Sequence, residues 1–189
     1  MVAHRSAPGA APREGRLQRV DAFLAVTSRR EVRRYADRPI EPEVERRILE
    51  AGRVSGSSKN RQPWRFVVVD QPQTRERAAQ AVWNGANVRG AALVVAVVVG
   101  GKGPVTFDAG RAAQNMLLAA WDAGVGACPN GISDPDAMRE VLGLAEDERF
   151  AIVLSFGYPA RPIDPESRSP EEWLARADRR PLEELVERR

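Results

Sequence analysis

The sequence predicts an α+β domain, and three observations lead there. Residues 91–99 form a β-branched apolar run bounded by glycines, residues 107–123 form a long alanine-rich helical pattern, and the shorter helical patterns do not alternate with strands as βαβ units do. A chain of 189 residues suits one domain with its own core. Residues 1–16, mostly Ala, Pro, Arg and Gly, read as a disordered leader, which leaves 17–189 as the single domain.

The elements follow in order. Val20, Phe23, Leu24 and Thr27 recur at helical spacing after Asp21, giving a first helix that ends before Arg29. Pro42 opens a second helix with Val44, Ile48, Ala51 and Val54 on its inner side. Residues 55–60 are a polar loop, 64–69 a strand and 74–83 an amphipathic helix. The run 91–99 is apolar on both faces and therefore central in a sheet. Thr106 is expected to cap the helix 107–123, which stops at Gly124. Residues 124–132 read as a glycine-rich loop, Asp134 and Pro135 as the start of a helix ending at Gly143, and 150–156 as the last strand. Residues 159–170 form an extended arm, followed by a short helix around Trp173 and a tail, 180–189.

Composition removes several kinds of chemistry. The only histidine, His4, falls in the expected leader, which argues against Ser-His-Asp or Cys-His catalysis. One cysteine, Cys128, gives neither a zinc site nor an internal disulfide, and no residue set resembles a metal centre. No dinucleotide fingerprint is present. The net charge is only +3, and the arginines alternate with Asp and Glu along helices, so nucleic acid is not an expected partner. No run approaches the ~20 apolar residues of a membrane span, and no signal-peptide core is visible, so a cytoplasmic protein is expected. An enzyme with so few catalytic side chains needs a cofactor to supply the chemistry.

Four separated segments carry a resemblance. They are Ser28-Arg29-Arg30-Glu31-Val32-Arg33-Arg34-Tyr35; Ser57-Ser58-Lys59-Asn60-Arg61-Gln62-Pro63-Trp64; Asp108-Ala109-Gly110 through Gln114-Asn115-Met116 to Gly124-Val125-Gly126; and Gly157-Tyr158-Pro159 with Arg179-Arg180-Pro181. On composition alone the first of these is a solvated arginine cluster after a helix. All four in this order resemble the nitroreductase family over nearly the whole chain.

That resemblance implies a three-layer sandwich with a mostly antiparallel sheet, built as a homodimer with exchanged C-terminal arms and FMN at the subunit interface. By the same resemblance Arg29 and Arg30 lie along the phosphate and ribityl chain, Arg33 near the pyrimidine edge of the ring, and Arg179 at the phosphate. Guanidinium forks suit a group that carries close to two negative charges. Ser57, Ser58 and Asn60 would touch the flavin of the partner subunit. Cys128, Pro129, Asn130 and Gly131 would lie along the ring, with backbone N–H groups of Asn130 and Gly131 facing the hydride-accepting nitrogen. The implied activity is hydride transfer from NAD(P)H to a nitroaromatic, quinone or flavin. A flavin-dependent dehalogenase or dehydrogenase of the same family, or a flavin carrier or sensor without turnover, are the alternatives. Two departures stand out: Glu31 replaces the small hydroxyl residue frequent in the family, and the 100–106 connection is too short for the helices that cover the flavin in many relatives.

Overall fold

The structure, a computed structural model, describes residues 22–189. The expected leader with His4, and Val20 and Asp21 of the first helical pattern, lie outside the described residues. The elements run α1 (Ala22–Ser28), α2 (Pro42–Arg53), β1 (Trp64–Val68), α3 (Pro72–Gln80), α4 (Gly85–Arg89), β2 (Leu93–Val99), α5 (Val105–Asp122), β3 (Gly126–Asn130), α6 (Pro135–Leu142), β4 (Arg149–Gly157) and α7 (Pro170–Ala175). Proline sits in the first turn of α2, α3, α6 and α7, where its missing N–H costs no helical hydrogen bond. Asp134 caps α6 by accepting from the Ala137 N–H, and Gly143 ends it in the left-handed region. No helix among the described residues is long and apolar enough to cross a membrane.

The four strands form one sheet in the order β1-β2-β4-β3, and every neighbouring pair is antiparallel. Alternation along β2 builds the layers. Leu93, Val95, Val97 and Val99 face α2 and α5, together with Leu154 and Phe156 of β4. Val94, Ala96 and Val98 face α3, α4 and α6, together with Val153. This is the expected α+β three-layer sandwich. Trp121 belongs to its interior, because its Nε1 donates to Ser28 Oγ at 3.0 Å and ties α5 to α1.

Four local expectations need correction. The loop read at 124–132 contains β3, which pairs with β4 from Gly126↔Gly157 to Asn130↔Val153. Its glycines suggested turns, yet they serve close approach. A Cβ at Gly126 would stand 2.6 Å from Val32, and one at Gly157 would stand 2.8 Å from the Tyr35 ring. Residues 31–35 thus run against β3 and the end of β4, with Val32 N–H bonded to Ala127 O at 3.0 Å and Tyr35 bridged to Pro159. Pro129 is tolerated because β3 is an edge strand. The helix expected over 74–83 stops at Gln80, since Val82 bridges to Ile132 and Trp83 turns out to solvent. Helix α5 starts at Val105 with Pro104 at its N-cap, so Thr106 lies inside the helix. Val54 stands past the end of α2 and is exposed.

Gly126→Ala is expected to destabilise the protein by about 1–3 kcal/mol, because the branched Val32 side chain cannot move aside without shifting residues 31–35. Urea unfolding of the two forms measures this, and an unchanged midpoint contradicts such close packing. Acid provides a second test. Arg65 holds the Glu148 carboxylate with two hydrogen bonds of 2.7 Å, and the Ala145 N–H adds a third, which lowers the Glu148 pKa to about 2. The folded value lies below the ordinary carboxylate range. The stability from this contact is therefore present at neutral pH and is lost as the pH falls through that range towards 2. Glu148→Gln should be less stable than the parent at pH 7, with the gap closing by pH 2.5 in the same unfolding assay.

Candidate active site

The end of α1 delivers Arg29 and Arg30 to a place where positive charge collects. Arg30 Nη1 donates to Thr27 O at 2.7 Å, and its Nη2 donates to Trp173 O at 3.1 Å. The guanidinium lies 5.1 Å from the Trp173 ring centroid, so this side chain also fastens α7 to α1. Its pKa is drawn below the ordinary arginine range, first by desolvation and then by the charges of Arg179, Arg176 and Arg29. Four cations therefore share one neighbourhood. Arg29 is only 16% exposed; its Nη2 meets Glu31 Oε1 at 2.8 Å, whereas its Nη1 is buried with no hydrogen-bond partner. An unpaired buried donor inside a cluster of like charge suits an anion, which would supply the missing acceptor and relieve the repulsion.

The edge of β3 carries the second group. Arg33 is exposed and lies against the Cys128 thiol. Burial raises the pKa of that thiol and Arg33 works against the rise. The net direction is upward, which favours the neutral thiol. Behind the strand, polar side chains lock the layers together. Tyr35 Oη meets Ser155 Oγ at 2.9 Å, Asn130 Nδ2 donates to the same Oγ and to Val153 O at 3.2 Å each, and Asn87 Nδ2 donates to Asn130 Oδ1 at 3.2 Å. Burial pushes the Tyr35 phenol above its ordinary range, so at neutral pH it is a hydrogen-bonding hydroxyl. The Asn130 side chain is thus a structural tie beneath β3. Gly131, by contrast, is exposed beside Trp83, whose backbone N–H donates to Gly131 O at 2.9 Å.

Ser57, Ser58 and Asn60 sit elsewhere. The Ser58 N–H donates to the buried Asp108 carboxylate at 3.0 Å, and Ser57 Oγ accepts from the Gln62 N–H at 2.9 Å. Lys59, Asn60 and Gln62 all have positive φ, a strained backbone held by these bonds. Asp108 lies in the first turn of α5, whereas Trp121, bonded to Ser28, lies in its last turn, about 20 Å away at ~1.5 Å per residue. One chain therefore gathers Arg29, Arg30 and Arg179 at one end of α5 and holds Ser57, Ser58 and Asn60 at the other. Arg33, Pro129, Asn130 and Gly131 share the β3 edge.

Sequence reasoning missed Arg176, whose spacing of three from Arg179 was the available signal, and Trp173 as the anchor of Arg30. It also missed the Tyr35–Ser155–Asn130–Asn87 network, which no local pattern announces. Residues 165–167 and α7 of the C-terminal arm pack on α1 of the same chain, and residues 181–189 are exposed.

The chain is similar to known proteins over most of its length. Residues 26–102 and 105–158 match the model of the nitroreductase family. An NADH dehydrogenase of Thermus thermophilus is 28% identical over 196 residues, covering 83% of this chain and 96% of that protein. A Desulfovibrio desulfuricans structure described as a nitroreductase in complex with FMN superposes with a TM-score of 0.75 at 32% identity, covering 90% of this chain and 98% of that one. An FMN-dependent nitroreductase of Clostridium difficile gives a TM-score of 0.68 at 25% identity, covering 81% and 96%. The family match covers most of the domain, including the Arg29–Arg33 segment, the strained 57–62 loop and the β3 edge, and the chain belongs to the nitroreductase family.

Proposed function

We propose that the protein is an FMN-dependent oxidoreductase that takes hydride from NAD(P)H and passes it, in a ping-pong cycle, to a small oxidised acceptor such as a nitroaromatic, quinone or flavin. The observation that carries this reading is the buried, unpartnered Nη1 of Arg29 among the charges of Arg30, Arg176 and Arg179. When bound, FMN supplies the ring that accepts and returns hydride. The chain's own residues bind and orient. Arg29 and Arg179, with Arg176 beside them, hold the phosphate, and Arg30 keeps α1 and α7 together around it. The β3 edge from Pro129 to Gly131 presents backbone to the ring, with the Asn130 side chain fixing the strand from behind. Arg33 sets positive charge against the pyrimidine edge, where it favours the redox state of greater negative charge.

The same reading makes the protein a homodimer. Ser57, Ser58 and Asn60 stand at the far end of α5 from the arginine cluster, so they serve the site of a second copy. Exposed apolar side chains, among them Phe23 and Val26 on α1, Phe107 on α5, and Leu182, Leu185 and Val186 in the tail, supply surface for an interface of upwards of ~2,000 Å². Exchange of arms between the copies is confined to residues 181–189.

The purified protein should be yellow and release FMN on denaturation, and anaerobic NADH or NADPH should bleach it. A bound flavin that neither nucleotide bleaches would mark a carrier or sensor instead. Arg29→Ala should weaken FMN binding by about 1.5–3 kcal/mol, since a charge-assisted bond to phosphate is lost. Equal affinity in a flavin titration takes Arg29 out of the site. Arg33→Gln keeps a donor and removes the charge. A loss of about 1–3 kcal/mol in the reduced state corresponds to a potential lower by about 20–65 mV, with FMN content unchanged. Redox titration of both forms decides the matter, and equal potentials exclude Arg33 from this electrostatic role.

A further inference from the structure

Arg29 meets two chemically different environments with its two terminal nitrogens. Nη1 is buried and has no acceptor, while Nη2 is held by Glu31 at 2.8 Å. The two side chains differ in freedom as well, Arg29 being 16% exposed and Glu31 33% exposed. The Glu31 backbone cannot retreat, because it bridges to Ala127 and the next residue, Val32, donates to Ala127 O at 3.0 Å. Only its side chain can move. The carboxylate therefore occupies one donor edge of the very fork that is otherwise short of an acceptor, within a cluster that includes Arg30, Arg176 and Arg179.

Resting on the reading that this cluster holds the FMN phosphate, we propose that Glu31 is the residue that sets flavin affinity, an internal carboxylate that competes with the phosphate for Arg29. Without phosphate, Glu31 neutralises Arg29 and keeps its guanidinium in place. When phosphate arrives, Glu31 either yields Nη2 and turns to water or remains as a negative charge within about 6 Å of it. Either course weakens the phosphate-dependent part of binding and leaves the rest untouched. The pair is partly solvent-screened, so the effect is moderate. The consequence is a flavin that exchanges with the medium more readily than the number of arginines suggests.

The test compares FMN with riboflavin, which has the ring and ribityl chain but no phosphate. Flavin-stripped full-length protein is titrated with each, as wild type, Glu31→Gln and Glu31→Ser, following quenching of flavin fluorescence. The expected result is FMN binding roughly 3- to 30-fold tighter in both variants, with riboflavin affinity within about twofold of wild type. Inorganic phosphate, in the absence of flavin, should raise the melting temperature of Glu31→Gln more than that of wild type. Unchanged or weaker FMN binding in the folded variants overturns the role of Glu31 while leaving the FMN reading standing. Equal tightening of FMN and riboflavin also overturns it, since the change would then lie at the ring. Wild type and variants that bind neither flavin would instead overturn the functional reading on which the proposal rests.

Discussion

Strand β2 has no polar face, and most of the architecture follows from covering it. All seven of its residues are buried, and each large aliphatic side chain contributes about 1.5–3 kcal/mol only if it stays so. Two layers of helix are the solution. The longer pair, α2 and α5, covers one side, and the shorter α3, α4 and α6 cover the other. Gly52 allows the first pair to close, since a Cβ there would stand 2.2 Å from the Met116 methyl carbon. With β4 also central, the sheet has two edges, β1 and β3, and the fate of those edges decides where the chemistry can go.

Arg65 of β1 reaches across the end of β2 to hold Glu148 beside β4 with two hydrogen bonds, which ties the β1 edge strand to the centre of the sheet. The β3 edge is covered at its start, around Gly126 and Ala127, by residues 31–35, which lie so close that only glycine fits at 126 and 157. Covering that edge brings the arginine segment along with it. Arg29 and Arg30 stand at its start, Arg33 at the strand, and Tyr35 reaches through to Ser155. The candidate site is thus assembled by the same contacts that finish the sheet, which explains why a buried polar network with so little apolar content is sustained behind β3. Every member of it but one atom, Asn87 Oδ1, has a hydrogen-bond partner.

Collecting four guanidiniums around the end of α1 works against folding unless something offsets the repulsion. The Trp173 ring and three backbone carbonyls take up Arg30, and Glu31 takes up half of Arg29. What remains is a demand for negative charge at one place, at the end of α5 opposite the strained 57–62 loop. A helix cannot bend its two ends together, so within one chain the two groups stay about 20 Å apart.

Local sequence was enough for the principal elements. The β-branched run at 91–99, the alanine helix and the capped turn at Asp134 each rest on local periodicity and local hydrogen bonds, which are written in neighbouring residues. The four motifs likewise sufficed for the family, because their order along the chain is linear information. Strand β3 was hidden, since the three glycines and the proline of its segment have turn propensity and only pairing with β4 overrides it. The partners of Arg29, Arg30 and Asn130 were equally out of reach, because Arg176, Trp173, Ser155 and Asn87 are remote or lie in other elements. Tertiary structure alone decided that one helix keeps the serines away from the arginines. That is a fact about distance across the fold, and no spacing along the chain encodes it.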